Sequence, residues 1–155
     1  MYDYYIGVDP GLHGALALIG PEAVRTFKTP IIKVGIKHHH EVREMARLVA
    51  ECIYTNRIFA VLESVHSMPK QGVASSFSFG RGFGMWEGIL AAYGIPYALV
   101  SPQTWKAVML RDMAKDKGAA KLQAHRLWPN LDKLTDGEAE ALLLAEFGRR
   151  QYNHS

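Results

Sequence analysis

The hydrophobic pattern of the first part of the chain predicts an antiparallel sheet. Three short segments rich in β-branched and aromatic residues are separated by glycine and proline turns, which is typical of a strand meander. The predicted strands are Tyr4–Val8, Gly14–Ile19 and Val24–Thr29. We expect a polar loop between Pro30 and the helical pattern that follows.

Apolar residues then recur at helical spacing, interrupted by two short apolar runs that are typical of buried parallel strands, Ile58–Leu62 and Tyr97–Val100. The predicted helices are Glu41–Asn56, Phe79–Tyr93, Pro102–Met109, Ala119–Trp128 and Asp136–Phe147. A loop rich in Ser, Gly, Pro and Gln is expected over Ser64–Ser76. The order of elements predicts an α/β fold, in which a mixed sheet of three antiparallel and two parallel strands carries helices on both faces.

Length and composition predict a single domain over residues 1–155, because 155 residues with 48% apolar content suffice for one core. Cys52 falls in the apolar pattern of the first helix and is expected to be a small buried hydrophobe. There is no leader of secretory type and no apolar run near the ~20 residues of a membrane span. We therefore expect a soluble cytoplasmic protein.

Charge is unevenly distributed along a mildly basic chain with a net charge of +3. Basic side chains are concentrated in one stretch, at Lys106, Arg111, Lys115, Lys117, Lys121 and Arg126. A charge run of this kind is usually a solvated face, so it indicates an anionic partner only if a site adjoins it.

Carboxylates occupy the ends of two predicted strands that can be neighbours in the sheet. Asp9 follows the first strand and begins a Gly/Pro turn, and Glu63 follows the fourth strand. An isolated Asp-Pro-Gly usually only holds a turn. If the two strands pair, however, both acids reach the same edge of the sheet, where adjacent strands lie ~4.8 Å apart.

The last predicted helix carries two further acids on one face, Asp136 and Glu140. Asp136 also suits a helix N-terminus wherever that helix lies, and Glu138 fits a capping box with Thr135. Glu140 borders the apolar run of the helix and therefore needs a partner. Clustered carboxylates repel one another unless cations neutralise them, and oxygen ligands suit Mg²⁺. Two such ions could assist phosphodiester hydrolysis.

Together these motifs resemble the RuvC-type Holliday junction resolvases of the RNase H-like superfamily, in particular the phage-type branch. The resemblance covers nearly the whole chain and rests on four segments, Gly7–Gly11, Val61–Glu63, Val100–Lys106 and Asp136–Leu143. It implies an RNase H-like fold, a homodimer, and metal-dependent endonuclease activity that makes paired symmetric nicks across four-way DNA junctions. It also implies two Mg²⁺ or Mn²⁺ ions held by Asp9, Glu63, Asp136 and Glu140.

One position departs from the pattern of that family. Its bacterial members usually carry two acids, or His and Asp, three residues apart on the last helix, whereas Gly137 stands three residues before Glu140. The spacing of Asp136 and Glu140 by one helical turn keeps Asp136 in the predicted set.

Aromatic and basic residues supply the candidates for DNA contact. Phe83 and Trp86 follow the helical pattern and are expected in the core, whereas Phe77 and Phe79 precede it and could stack on unpaired bases. The predicted phosphate contacts are Arg81, Lys106, Lys117 and Lys121. The helix around Phe83–Tyr93 is the predicted dimer surface.

Five histidines are candidates for chemistry or metal binding. His13 and His66 lie near the acids in sequence and could transfer protons, although nothing orients them. The run His38–His40 is a poor chelate, because consecutive side chains point in different directions, and is expected to be a solvated loop.

Several functional alternatives remain open at this stage. An RNase H acting on RNA/DNA hybrids fits the same acids, and so does a non-catalytic nucleic-acid-binding member of the superfamily. An actin-like nucleotide-binding fold is disfavoured, because the chain has no second Asp-x-Gly strand-turn. The preferred metal, the cleavage sequence and the range of branched substrates are open as well.

Overall fold

A five-stranded mixed sheet forms the centre of the computed structural model, which describes residues 1–64, 66 and 69–153. The strands are β1 Tyr4–Asp9, β2 Ala15–Ile19, β3 Val24–Lys28, β4 Ile31–Val34, β5 Lys37–His40, β6 Ile58–Glu63 and β7 Tyr97–Val100. The helices are α1 Val42–Cys52, α2 Val73–Ala92, α3 Pro102–Met109, α4 Ala119–Leu127 and α5 Asp136–Tyr152. The predicted α/β fold with a mixed sheet is confirmed.

The order of the strands brings the two acid-bearing strands together in the middle of the sheet. The order is β3-β2-β1-β6-β7, with β1 to β3 antiparallel and β1, β6 and β7 parallel. Val8 of β1 pairs with Leu62 of β6, so the next residues, Asp9 and Glu63, end adjacent strands at one edge.

Helices cover both faces of this sheet, as predicted. On one face α3, α4 and α5 pack around Trp105 and the apolar run of α5. On the other face α1 and α2 bury Met45, Cys52, Trp86 and Leu90. The burial of Cys52 and Trp86 agrees with the sequence, and Phe83 packs partly buried against the same core.

Two helices are longer than their sequence pattern predicts. Helix α2 begins at Val73, so the last four residues of the expected Ser64–Ser76 loop are helical. Extending an existing helix by one turn costs less free energy than nucleating a new helix. The buried turns around Trp86 can therefore be extended backwards through the serine-rich residues at the start of α2. Helix α5 runs on to Tyr152, where buried Glu146 accepts hydrogen bonds from Arg149 and Arg150.

The prediction of a polar loop after Pro30 is wrong, because β4 and β5 form a separate two-stranded hairpin there. Its turn is at Gly35, whose φ of +63° suits glycine. The strand signal of Ile31, Ile32 and Val34 is obscured by Lys33 among them and by Lys37 and the histidines that follow.

His40 was expected to be solvated with its neighbours, but it is buried. Its Nε2 lies 3.0 Å from the carbonyl oxygen of Pro10, and its ring fills the space in front of Gly82 on α2. Burial lowers the pKa of this imidazole. His40 therefore connects the hairpin to the loop after β1 and to α2.

No helix in the part of the chain that the structure describes is both long and apolar enough to cross a membrane.

Candidate active site

Three carboxylates converge where β1 and β6 end and α5 crosses the sheet. One oxygen each of Asp9, Glu63 and Glu140 lies within 4.8 Å of the others. The strand register places the first two, and the third depends on how closely α5 approaches β1. That approach requires Gly7, where an added Cβ would overlap the backbone of Ala141 and Ala145 on α5.

Burial makes this cluster electrostatically costly in the free protein. The pKa of Asp9 is raised to about 7, chiefly by burial and then by the charges of Glu63 and Glu140. Burial also raises the pKa of Glu63. Such a cluster of oxygen donors fits a divalent cation such as Mg²⁺ or Mn²⁺, because the cation would relieve the repulsion and replace the lost hydration.

Trp105 on α3 orients Glu63. Its indole Nε1 donates a 2.6 Å hydrogen bond to Glu63 Oε2, and the ring is fully buried. This bond opposes the effect of burial on the pKa of Glu63. The sequence indicates Trp105 only through the family resemblance, because no spacing rule links it to Glu63, 42 positions away.

Lys106 is the basic side chain next to the acids. Its Nζ lies 3.6 Å from Glu140 Oε1 and 5.3 Å from the centre of the Trp105 ring. It lines a cleft of about 900 Å³ together with Glu140, Asp136 and Lys117. The basic stretch of the sequence therefore adjoins the acidic site.

Asp136 is not among the three grouped carboxylates. Its side chain is 72% exposed and lies 3.4 Å from Lys121 Nζ, although it lines the same cleft as Glu140. Gly137 has no space for a side chain, because a Cβ there would overlap the backbone at His13 and Gly14. An acid at position 137 would therefore require a different packing of α5 against the loop after β1.

The other predicted contact residues lie on the α2 side of the site. Phe77 and Phe79 are 71% and 40% exposed in the first turns of α2, and Arg81 is exposed one turn further on. Phe79 lines a cavity of about 350 Å³ with His13 and His40. Both His13 and His66 are exposed, and neither is grouped with the acids among the described residues.

The fold is RNase H-like, and solved structures with this fold resemble the chain over nearly its whole length. The structure of Thermus thermophilus RuvC superposes with a TM-score of 0.63 at 16% sequence identity, covering 95% of each chain. The same organism's RuvC in complex with Holliday junction substrate gives 0.68 at 18% identity, covering 97% of each chain. The sequence matches no protein-family model and none of the curated proteins.

A more distant resolvase shares the fold as well. The yeast mitochondrial Holliday junction resolvase Ydc2 superposes with a TM-score of 0.51 at 16% identity, over 94% of this chain and 77% of its own. At these identities the comparisons establish the RuvC-type fold of the chain, which is the fold expected from its motifs.

Proposed function

We propose that the protein is a structure-selective DNA endonuclease, a crossover junction endodeoxyribonuclease that resolves four-way junctions by paired symmetric nicks. The observation that carries this proposal is the convergence of Asp9, Glu63 and Glu140 in a RuvC-type fold. A junction-bound RuvC with the same fold supports branched DNA as the substrate. A cytoplasmic location and a single domain over residues 1–155 remain predictions.

The chemistry follows from the donor set. Asp9, Glu63 and Glu140 would hold Mg²⁺ or Mn²⁺, which when bound activates water and stabilises charge on a phosphodiester. Trp105 holds Glu63 in one orientation, and Lys106 presents a positive charge beside Glu140, where a backbone phosphate can approach. Two ions per site, with Asp136 as a fourth ligand, remain the proposal from the sequence.

A comparison of substrates tests this function. The protein should cut a synthetic four-way junction with Mg²⁺ or Mn²⁺ into symmetric nicked duplexes, and it should cut linear duplex of the same sequence far more slowly. Preferential cutting of an RNA/DNA hybrid would instead establish the RNase H alternative. Tight junction binding without cleavage, with either metal, would establish the non-catalytic alternative.

Trp105→Phe is expected to lower the cleavage rate roughly tenfold or more, because a hydrogen bond to a charged group contributes about 1.5 to 3 kcal/mol. If Trp105 positions Glu63 for metal binding, the Trp105→Phe variant should need more Mg²⁺ than the wild type for half-maximal cleavage. Trp86→Phe is the matched control, since Trp86 is equally buried and its Nε1 has no hydrogen-bond partner among the described residues. Equal Mg²⁺ requirements in the two variants would show that Trp105 serves packing alone.

We propose that Phe77 and Phe79 recognise the junction, whereas Arg81, Lys106, Lys117 and Lys121 contact phosphates. Replacing both phenylalanines with Ala should reduce junction cleavage more than duplex binding, because stacking is worth roughly 1 to 3 kcal/mol per base. Replacing the lysines should weaken binding to both DNAs and flatten its salt dependence. Normal junction preference in the phenylalanine variant would assign selectivity to other features.

We propose further that two copies associate through α2, which gives a two-fold junction two sites related by symmetry. Trp86, Ile89 and Leu90 face the core, so the surface available to a partner helix is the opposite face. Gly80, Gly84 and Gly88 recur there every fourth residue, and a Cβ added at any of them would meet no described atom within 4 Å. That face is flat enough for another helix to approach closely.

Gly84→Glu is therefore expected to convert a dimer into a monomer while leaving the fold intact. Replacing an exposed helical glycine favours the helix by roughly 0.5 to 1 kcal/mol, so loss of the dimer cannot be ascribed to unfolding. Light scattering measures the mass of the particle in solution. Ala50→Glu, at an exposed position of α1, is the control for the added negative charge. A dimeric Gly84→Glu variant would place the interface elsewhere.

A further inference from the structure

The β4–β5 hairpin has no partner within the described part of the protein that covers its apolar residues. Ile31, Ile32 and Val34 are exposed on its first strand, and Ile36 at the turn is 91% exposed. A two-stranded hairpin by itself is only marginally stable in water. Four exposed aliphatic side chains in such a small element indicate a surface that another molecule covers.

The charge of the hairpin indicates what that molecule is. From Ala23 to His40 the sequence contains no Asp or Glu, whereas the hairpin itself carries Lys33, Lys37 and three histidines. A second copy of the hairpin would bring lysine against lysine. A polyanion with an apolar interior, such as DNA with its phosphates and bases, complements both the lysines and the isoleucines.

The base of the hairpin is attached to the loop that follows Asp9. The Thr29 amide donates to the Gly14 carbonyl at 3.0 Å, and His40 Nε2 lies 3.0 Å from the Pro10 carbonyl oxygen. The His40 ring also contacts Gly82 of α2. The base of the hairpin therefore lies against the loop after Asp9 and against α2, whereas Lys106 lies on α3, which packs on the other face of the sheet.

We propose that the β4–β5 hairpin is a second DNA-contacting element of the site. Lys33 and Lys37 bind backbone phosphates on the α2 side of the scissile position, and Ile36 at the tip contacts the bases or sugars of the same DNA arm. The contacts of His40 with Pro10 and of Thr29 with Gly14 attach the base of this element to the loop that follows Asp9. This inference rests on the proposed function and extends it.

Binding measurements without divalent cation test the inference separately from catalysis. In Lys33→Ala/Lys37→Ala the junction affinity should fall about tenfold or more, and the slope of log affinity against log salt should decrease by about 2. Arg25→Gln/Arg57→Gln is the matched control, because it also removes two positive charges. These charges lie near the start of β3 and just before β6, at the ends of those strands away from the hairpin and from Glu63. This control should retain the wild-type slope.

A second variant isolates the apolar tip. Ile36→Ser should weaken junction binding with an unchanged salt slope, because it removes no charge. In the unmodified protein, the backbone amides of residues 31–40 should exchange hydrogen more slowly once a junction is bound. That measurement does not depend on how any variant folds.

The outcomes separate this inference from the proposed function. If the wild type cuts junctions while the hairpin variants bind like wild type and hydrogen exchange over 31–40 is unchanged, the hairpin inference alone is wrong. An equal loss of slope in the arginine control, or a change of oligomeric mass in Ile36→Ser, would also overturn it. If the wild type neither binds nor cuts junctions, both proposals fail together.

Discussion

Asp9→Asn is expected to reduce junction cleavage by at least about 10³-fold, whereas junction affinity stays the same or rises. The variant removes the acid at the centre of the cluster, and charge stabilisation by a bound metal is worth several kcal/mol in the transition state. The lost negative charge also repelled the phosphates, so binding does not suffer. Glu63→Gln and Glu140→Gln should behave in the same way.

Thermal melting distinguishes loss of the metal site from misfolding. Without divalent cation, Asp9→Asn should melt at a higher temperature than the wild type, because it removes a charge that burial and two neighbouring acids disfavour. Adding Mg²⁺ should stabilise the wild type and not the variant. Full-rate cleavage by Asp9→Asn with Mg²⁺ would refute the assignment.

Asp136→Asn tests whether Asp136 is a fourth ligand. Its cleavage rate is compared with those of Asp9→Asn, Glu63→Gln and Glu140→Gln. Its side chain is exposed and paired with Lys121 in the structure. A loss as large as that of Glu140→Gln would make Asp136 a ligand in the working enzyme. A loss of only a few fold would leave three carboxylates as the protein's ligand set.

Gly7→Ala is expected to destabilise the fold by about 3 kcal/mol or more. The added methyl group would overlap the backbone of Ala141 and Ala145, and backbone cannot move aside as a flexible side chain can. Helix α5 must then shift away from β1 and take Glu140 with it. Chemical denaturation measures the loss of stability, and residual cleavage should fall as well.

Gly72→Ala is the matched control for this variant. It adds the same methyl group at the N-cap of α2, where no described atom lies within 4 Å and which is outside the glycine face proposed for dimer contact, so the stability should change by less than about 1 kcal/mol. Equal stability of Gly7→Ala and the wild type would show that α5 does not depend on close contact with β1.

The sequence predicted the central architecture because its signals are local. Apolar strands, the capping box at Thr135 and Glu138, and the helical repeat after Asp136 each depend on residues a few positions apart, and all agree with the structure. It did not predict the β4–β5 hairpin, where histidines and lysines obscured the β-branched residues. It also placed the start of α2 too late, since packing supports those first turns.

The sequence by itself determined which side chains are available for chemistry, and it indicated that Asp9 and Glu63 end neighbouring strands. Only the tertiary structure decided how they are used, because the contacts involved join residues far apart in the chain. The approach of α5 at Gly7 brings Glu140 to the other two acids, and Trp105 binds Glu63 from a third element. The burial that raises the pKa of Asp9 likewise exists only once both faces of the sheet are covered.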